Sequence, residues 1–257
     1  MKALILAAGY ATRLYPLNQK LPKALLPLGT DTVMGHIVSL INGVPDCDEI
    51  LVVSNHKFID HFMRWKEQYS GRLPVSLVDD GTEDVSEGLG AIGDVCYVIN
   101  KMQLDEDLLI IAGDNYFDFS PAEFVGICRD GRQDGVCVKK IEDRSMLSHL
   151  GIVLLDENNN IVDIEEKPAH PKSDMAMVAI YYYTRETLKL FAQYQKEKNS
   201  MDAPGNFVVW LYKRKPIVTY AIEGQWHDVG TVEAYTKLCE SLGIVYDPSN
   251  LILDEDQ

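Results

Sequence analysis

Short apolar segments alternate with amphipathic segments through the first 115 residues, and this alternation limits the fold more than any other feature of the chain. Four segments have the continuous, branched apolar character of buried parallel strands: residues 3–8, 49–54, 75–78 and 108–112. Between them lie three segments of helical character, at residues 33–44, 58–69 and 88–100. This order predicts an α/β protein with a doubly wound, mostly parallel sheet, whose ligand site lies beyond the carboxyl ends of the strands.

The pattern changes after residue 130, where predicted strands outnumber helices. Strands are predicted at residues 136–141, 152–155, 161–165, 176–183 and 217–222, with a short strand or turn at 226–229. Helices are predicted at residues 121–130, 186–198, 205–212 and 231–242. The first three of these strands have hairpin-type connections. Since no linker or repeat separates the halves 1–130 and 131–243, we expect one mixed sheet in one domain, followed by an acidic tail at 244–257.

The composition is that of a globular protein with a strong acidic excess. Hydrophobic residues make up 46% and charged residues 25%, and 39 acidic against 24 basic residues give a net charge of -15. Such a field repels nucleic acid and anionic membranes, so we expect neither as a partner. The N-terminal apolar run at residues 3–8 is too short for a signal sequence or a membrane span.

The cysteines are odd in number, widely spaced and never in a CxxC pair: Cys47, Cys96, Cys128, Cys137 and Cys239. This pattern indicates neither a disulfide framework nor a zinc cluster. We therefore expect reduced thiols and a cytoplasmic location.

The first 30 residues reverse the sign of the charge. They contain no Asp or Glu but four basic residues: Lys2, Arg13, Lys20 and Lys23. The small-residue loop 9–13 follows the first strand and leaves backbone N–H groups uncovered, which suits a phosphate-rich ligand; a solvated surface loop is the alternative. Segments 79–90 and 113–115 also follow strands, so these three segments are predicted to meet at one edge of the sheet.

The N-terminal sequence LILAAGYATRLYPL…LPKALLPL resembles the signature of the sugar-1-phosphate nucleotidyltransferases, which include thymidylyl-, uridylyl- and guanylyltransferases. Three further segments match this family in order: Gly113-Asp114-Asn115, Glu165-Glu166-Lys167-Pro168 and Trp226-His227-Asp228-Val229-Gly230-Thr231. The resemblance implies a Rossmann-like nucleotidyltransferase fold. In it, residues 1–130 bind the nucleotide and residues 131–243 form a β-rich, sugar-phosphate-binding half.

The implied reaction joins a nucleoside triphosphate to a sugar 1-phosphate and releases pyrophosphate, so catalysis is mainly positioning and charge neutralisation. Arg13 suits the β- and γ-phosphates or the leaving pyrophosphate, and Lys23 suits the α-phosphate and the attacking group. The resemblance also implies nucleotide contacts in and before the loop, at Leu6, Ala8, Gly9, Ala11 and Thr12. Ala11 replaces the second glycine that is usual in this loop, which narrows the allowed backbone conformations.

Two aspartates are candidate ligands of a catalytic Mg²⁺ ion. Asp114 directly follows an apolar strand, where a carboxylate would lie near the core without a partner. A divalent ion held by carboxylates and substrate phosphates supplies that partner, which also makes Asp114 a candidate catalytic residue. Asp228 is the second candidate ligand. The alternative for either aspartate is a helix N-cap or a turn residue, and for Asp228 the helix would be the one at Thr231.

The resemblance places the sugar phosphate on the second half. It implies that Glu166 accepts hydrogen bonds from sugar hydroxyls and that Lys167 pairs with the sugar phosphate. Gly151 and Tyr181 match positions that shape the pocket, although Tyr181 is alternatively a core residue. Because Leu150 stands where thymidylyltransferases often have Tyr, glucose is not assigned.

The nucleobase is expected against segment 79–90, with Asp80, Thr82 and Gly88 as candidate contacts. Gly88 matches a glycine at which the family lets the base approach the backbone. The resemblance is nearest to the branches that use dTTP or UTP, and a homo-oligomer is left open.

Other classes account for parts of the pattern. A Rossmann dehydrogenase lacks support because the three-glycine spacing is missing, and a P-loop kinase would need Gly-Lys-Ser/Thr. A cytidylyltransferase acting on phosphocholine stays open: an aromatic and acidic cage around Glu166 and Tyr181 would favour it, whereas hydroxyl-binding groups would favour a sugar. A non-catalytic nucleotide-sensing subunit would be expected to lack Lys23, Asp114 or Asp228, and the chain has these three residues.

Overall fold

The structure is a computed structural model that describes residues 1–10 and 21–245. Its strands are β1 (Lys2–Leu6), β2 (Pro27–Leu28), β3 (Asp31–Thr32), β4 (Glu49–Ser54), β5 (Val75–Asp79), β6 (Leu108–Ala112), β7 (Asn115–Phe117), β8 (Asp134–Lys140), β9 (Gly151–Leu155), β10 (Ile161–Glu166), β11 (Met175–Tyr183), β12 (Ile217–Ala221) and β13 (Trp226–Asp228). Its α-helices are α1 (Val33–Ile41), α2 (Ile59–Gln68), α3 (Ala91–Met102), α4 (Ala122–Gly131), α5 (Arg185–Lys196), α6 (Gly205–Leu211) and α7 (Val232–Ser241).

Four strands of the first half of the chain form a parallel group in a sheet to which the described residues contribute nine strands. Strand β1 pairs in parallel with β4 on one side and β6 on the other, and β4 pairs in parallel with β5. Ala3 and Ile5 face one apolar layer while Leu4 faces the other, as the two-residue period of a strand requires. The predicted doubly wound α/β sheet is confirmed, because helices cover both faces of β1.

The long strand β11 joins the second half to this sheet. It runs antiparallel to β6 through Ile180–Tyr183 and antiparallel to β9 through Ala176–Met177. Strands β9 and β10 form the predicted hairpin, closed by the turn at residues 156–160. The sheet is therefore mixed, with a β-rich extension, as predicted.

The prediction was wrong for β8, which pairs with β11 and β12 rather than forming a hairpin with β9. A 3-10 helix at Arg144–His149 lies between β8 and β9, so the connection is too long for a tight hairpin turn. Pairing to β11 and β12 joins segments that are far apart in the chain, so the sequence around β8 does not predict it.

Two apolar layers flank the sheet. One contains Ile37 of α1, Phe62 of α2 and Leu238 of α7. The other contains Val95 of α3 and Phe191 of α5. Within residues 1–10 and 21–245, no helix combines the length and the apolar character needed to cross a membrane.

Helix α3 begins at Ala91, three residues later than predicted. Gly90 has φ +76°, and a Cβ there would stand 2.5 Å from the carbonyl oxygen of Met201. The N–H of Ala91 donates to the carbonyl of Asp202, and the N–H of Ile92 donates to that of Met201, both at 2.9 Å. The first N–H groups of α3 thus bond to segment 201–202, and the helix does not extend towards residue 88 as predicted.

Candidate functional site

A cavity of about 740 Å³ opens where β1 and β6 end. Among the residues singled out from the sequence, its lining includes Leu6, Ala8, Gly9, Lys23, Asp80, Gly88, Asp114, Gly151, Glu166, Lys167, Tyr181 and Asp228. Thr82 is not part of the lining. Arg13, Ala11 and Thr12 lie outside the described residues.

Lys23 lies between the two predicted metal-binding carboxylates. It begins a 3-10 helix at Lys23–Leu25, directly after Pro22. Its Nζ atom donates to Oδ2 of Asp114 and lies 3.9 Å from Oδ1 of Asp228. With Lys23 only 12% exposed, this ion pair is partly shielded from water.

The short ladder between β7 and β13 brings the two aspartates together. Asp228 lies opposite Asn115 in this antiparallel pair, and the N–H of Val229 donates to the carbonyl of Asp114 at 2.9 Å. The hydroxyl of Thr231 caps α7 by accepting from the N–H of Ala234, so Asp228 is not the cap of that helix. The helix-capping alternative for Asp228 is therefore wrong.

A hydrogen-bond chain holds the carboxylate of Asp114. The indole Nε1 of Trp226 donates to Oδ1 of Asn115 at 2.7 Å, and Nδ2 of Asn115 donates to Oδ1 of Asp114 at 2.9 Å. Sequence reasoning missed these two orienting residues, although both belong to segments that carried the resemblance.

Burial and the neighbouring Lys23 shift the pKa of Asp114 in opposite directions. Burial raises the pKa, but the charge of Lys23 and the hydrogen bonds from Lys23 and Asn115 lower it further, so the net direction is downward. Asp114 is therefore a carboxylate at neutral pH.

The donor set fits a hard divalent ion. The described residues contain no cluster of three or more His, Cys, Asp or Glu side chains that could hold a metal. Asp114 and Asp228 nevertheless supply two carboxylates around one cationic position, that of the Lys23 ammonium. Mg²⁺ commonly takes one or two carboxylates and completes its shell with water and substrate phosphates.

At the other half of the cavity, two glycines make room for Glu166. Glu166 ends β10 and lies opposite Gly151 of β9. A Cβ on Gly151 would stand 2.7 Å from Oε2 of Glu166, and a Cβ on Gly205 would stand 2.0 Å from it. Burial raises the pKa of Glu166, the charge of Lys167 lowers it and Asp202 raises it, with a net upward shift. Gly205 was missed from the sequence, because its role arises from packing between distant segments.

Lys167 and Tyr181 line this same end in different ways. Lys167 has φ +47°, in the left-handed region, and its N–H donates to the carbonyl of Leu150 at 3.1 Å. The described residues include no ion-pair partner for its ammonium group. Tyr181 is only 4% exposed and stacks on Tyr183 with the ring centroids 6.1 Å apart, so it is a core residue that also reaches the cavity wall.

Thr82 supports Asp80 from behind the cavity. Its N–H and its hydroxyl both donate to Oδ1 of Asp80, at 2.7 and 2.8 Å. The hydroxyl of Tyr10 donates to Oγ1 of Thr82 at 2.9 Å. Asp80 itself lines the cavity, and burial raises its pKa.

Asp94 also lines the cavity and was missed from the sequence. It lies on the first turn of α3 and is 6% exposed, and residues 1–10 and 21–245 offer its Oδ1 atom no hydrogen-bond partner. Burial, together with the nearby charge of Asp80, raises its pKa to about 8. The signal that could have revealed it is an acidic residue between the apolar Ile92 and Val95 on the buried face of a helix.

Comparison with known proteins identifies the class. Residues 2–243 match the family described as nucleotidyl transferase, so the chain belongs to that family. It is 26% identical to the bifunctional protein GlmU of Methanocaldococcus jannaschii, over 90% of this chain and 51% of that protein. It is also 26% identical to a glucose-1-phosphate thymidylyltransferase of Streptomyces antibioticus, over 90% of this chain and 63% of that protein. The resemblance to sugar-1-phosphate nucleotidyltransferases is therefore confirmed.

The fold comparison agrees with this assignment. A UDP-glucose pyrophosphorylase solved with UDP-glucose superposes with a TM-score of 0.77 at 19% identity, over 94% of this chain and 98% of that one. At this identity the match shows the fold alone. The chain spans about half to two thirds of the length of the two curated relatives named above.

Proposed function

We propose that the protein transfers a nucleotidyl group from a nucleoside triphosphate to a sugar 1-phosphate, giving a nucleotide sugar and pyrophosphate. The observation that carries this proposal is the grouping of Lys23, Asp114 and Asp228 in a cavity whose other end holds Glu166 and Lys167. One end thus supplies a cation between carboxylates for the triphosphate, and the other a carboxyl and an ammonium group for the sugar phosphate.

In the proposed mechanism, an oxygen of the sugar phosphate attacks the α-phosphorus and the bond to the β-phosphate oxygen breaks. Lys23 neutralises the charge that develops around the α-phosphorus, and Lys167 holds the attacking phosphate. The attacking oxygen is already ionised, so no general base is needed. Arg13 retains its sequence-based role against the departing pyrophosphate.

Asp114 and Asp228 are the residues that would hold Mg²⁺ in this proposal. The ion would supply charge neutralisation for the triphosphate. Asn115 and Trp226 orient Asp114 through their hydrogen bonds.

A sugar is favoured over a quaternary amine by the surroundings of Glu166. Its described neighbours include Gly151, Gly205 and Met177. One aromatic ring, that of Tyr181, and one further acidic residue, Asp202, lie at the same end. Recognition of a quaternary amine commonly uses several aromatic rings around the charge. Glu166, with its elevated pKa, is suited instead to hydrogen bonds with hydroxyl groups.

We propose dTTP or UTP as the nucleotide and a hexose 1-phosphate as the acceptor. Residues 1–243 would act as one domain, with 1–130 holding the nucleotide and 131–243 the sugar phosphate. The five cysteines are free and buried, which supports a reducing, cytoplasmic location.

The test is a substrate panel. The protein is incubated with Mg²⁺, each of the common nucleoside triphosphates, and a set of hexose 1-phosphates or phosphocholine, while pyrophosphate release is measured. We expect release that needs both a triphosphate and a sugar 1-phosphate. The proposal would be contradicted if phosphocholine were the one acceptor that supports pyrophosphate release, or if none of the acceptors tested supported it.

A further inference from the structure

The carboxyl group of Asp94 is costly to the fold unless something binds it. Its Oδ1 atom is buried and has no hydrogen-bond partner among the described residues. Native proteins pair the great majority of such atoms. An apolar residue of similar size would fill the position without leaving a polar atom unpaired. Packing alone therefore does not explain an aspartate at this place.

Asp94 lies at the end of the cavity formed by segment 80–91. Its N–H donates to the carbonyl of Gly90 at 2.8 Å, which places it one helical turn beyond that segment. Val85, in the same segment, lines the cavity and is 59% exposed, so it offers an apolar surface. Asp80 adds a second carboxyl close enough to influence Asp94 electrostatically. An apolar surface beside polar groups suits a flat heterocycle with a polar edge.

The protonation state of Asp94 narrows its chemistry. Burial and the charge of Asp80 raise the pKa of Asp94 to about 8, so the carboxyl keeps its proton near neutral pH. A neutral carboxyl group is a poor cation ligand, but it both donates and accepts hydrogen bonds. Asp80 is less available for this role, because its Oδ1 atom already accepts two hydrogen bonds from Thr82.

We propose that Asp94 hydrogen-bonds the polar edge of the nucleobase and helps to select which nucleoside triphosphate the cavity accepts. This inference rests on the proposed function and names the part of the substrate that Asp94 contacts. With uracil or thymine, the carboxyl donates its O–H to a ring carbonyl and accepts the ring N–H. The Oδ1 atom is buried, so these bonds need a rotation of the carboxyl group that turns this oxygen towards the base.

The variants Asp94→Leu and Asp94→Ala test the proposal against a matched control. Asp60 is also an acidic residue on the first turn of a helix, α2, but it is exposed, so Asp60→Leu makes the same change outside the cavity. Pyrophosphate release gives KM for each triphosphate and for the sugar phosphate. Calorimetry measures triphosphate binding without the acceptor.

We expect Asp94→Leu and Asp94→Ala to raise KM for the preferred triphosphate about tenfold or more and to reduce the preference among bases. KM for the sugar phosphate should stay within about twofold, and Asp60→Leu should change neither. Asp94→Leu should also raise the melting temperature, because it removes the unpaired carboxyl. A variant that is less active only because it is less stable would show the opposite thermal shift.

Several outcomes would overturn the inference. An unchanged KM and base preference in both Asp94 variants, with normal wild-type turnover, would overturn the role of Asp94 alone. An equal rise of both KM values would show a general distortion and not a base contact. A wild type that binds no triphosphate and releases no pyrophosphate would overturn the proposed function and this inference together.

Discussion

Two carboxyl groups of the cavity, half-buried Asp114 and buried Asp94, stand under opposite electrostatic conditions. Burial raises the pKa of both Asp114 and Asp94. Beside Asp114, the ammonium of Lys23 and two hydrogen bonds reverse that effect, so its pKa lies below the ordinary value. Beside Asp94 the neighbouring charge is another carboxyl, that of Asp80, and the pKa rises to about 8. The same side chain is thus a charged carboxylate in one place and a neutral carboxyl group in the other.

Replacing the charged carboxylate, that of Asp114, should have the largest effect on activity. Asp114→Asn keeps the size of the side chain but removes the charge, so we expect a loss of turnover on the order of 1,000-fold or more. Pyrophosphate release measures turnover, and circular dichroism checks that the fold is kept. Asp130→Asn changes an exposed carboxylate on α4 and serves as the control. Near-normal activity of Asp114→Asn would remove Asp114 from the catalytic centre.

Replacing the neutral carboxyl group, that of Asp94, should stabilise the fold by an amount that depends on pH. Because burial raises the pKa of Asp94 from 3.8 to about 8, folding takes up a proton between these values and wild-type stability falls as the pH rises through them. Asp94→Asn cannot ionise, so at pH 7 it should be more stable by up to about 4 kcal/mol, at ~1.4 kcal/mol per pH unit. The advantage should shrink towards zero near pH 4.

Urea unfolding of both proteins between pH 4 and 8 measures this difference. Asp60→Asn, at the exposed position on α2, should show no such trend. A constant difference across the pH range would show that Asp94 is already ionised in the folded state, which would end its contrast with Asp114.

Removing the cation tests what separates the two carboxyl groups. Lys23→Ala should lower turnover by on the order of 100-fold or more, since it removes a charge placed against the transition state. It should also bring the pKa of Asp114 upwards, because burial then acts without the opposing ammonium. Lys66→Ala, at an exposed lysine of α2, controls for the loss of one positive charge. Retained activity of Lys23→Ala would exclude Lys23 from the site.

The smallest expected effect concerns the sugar-phosphate end. In Gly205→Ala the new Cβ would stand 2.0 Å from Oε2 of Glu166, so this carboxyl must move. We expect KM for the sugar phosphate to rise about tenfold while KM for the triphosphate stays unchanged. Gly126→Ala, on α4, is the control, because its new Cβ would have no atom of the described part of the chain within 4 Å. Equal effects of Gly205→Ala on both KM values would contradict the separation of the two ends.

The sequence predicts the parallel half of the fold well because its information there is local. Strands β1, β4, β5 and β6 are short apolar runs between helices, and the order of such units determines a parallel sheet and its active edge. That rule also explains why Lys23 and Asp114 could be expected at one edge although they are 91 residues apart. The pairing of β8 could not be predicted, because strand partners in the second half are set by long-range contacts.

The unpredicted residues of the site share this limit. Gly205 matters because its backbone approaches Glu166. Asp94 matters because its Oδ1 atom has no hydrogen-bond partner among the residues that the structure describes. No local sequence pattern predicts either the close approach of the Gly205 backbone or the unpaired oxygen of Asp94. The roles proposed for the residues in the cavity remain predictions that the substitutions above test.

The two backbone hydrogen bonds between the start of α3 and segment 201–202 connect the walls of the two proposed substrate sites. A shift of segment 80–91 on binding of the triphosphate would therefore displace the chain that leads to Gly205, and with it the cavity wall beside Glu166.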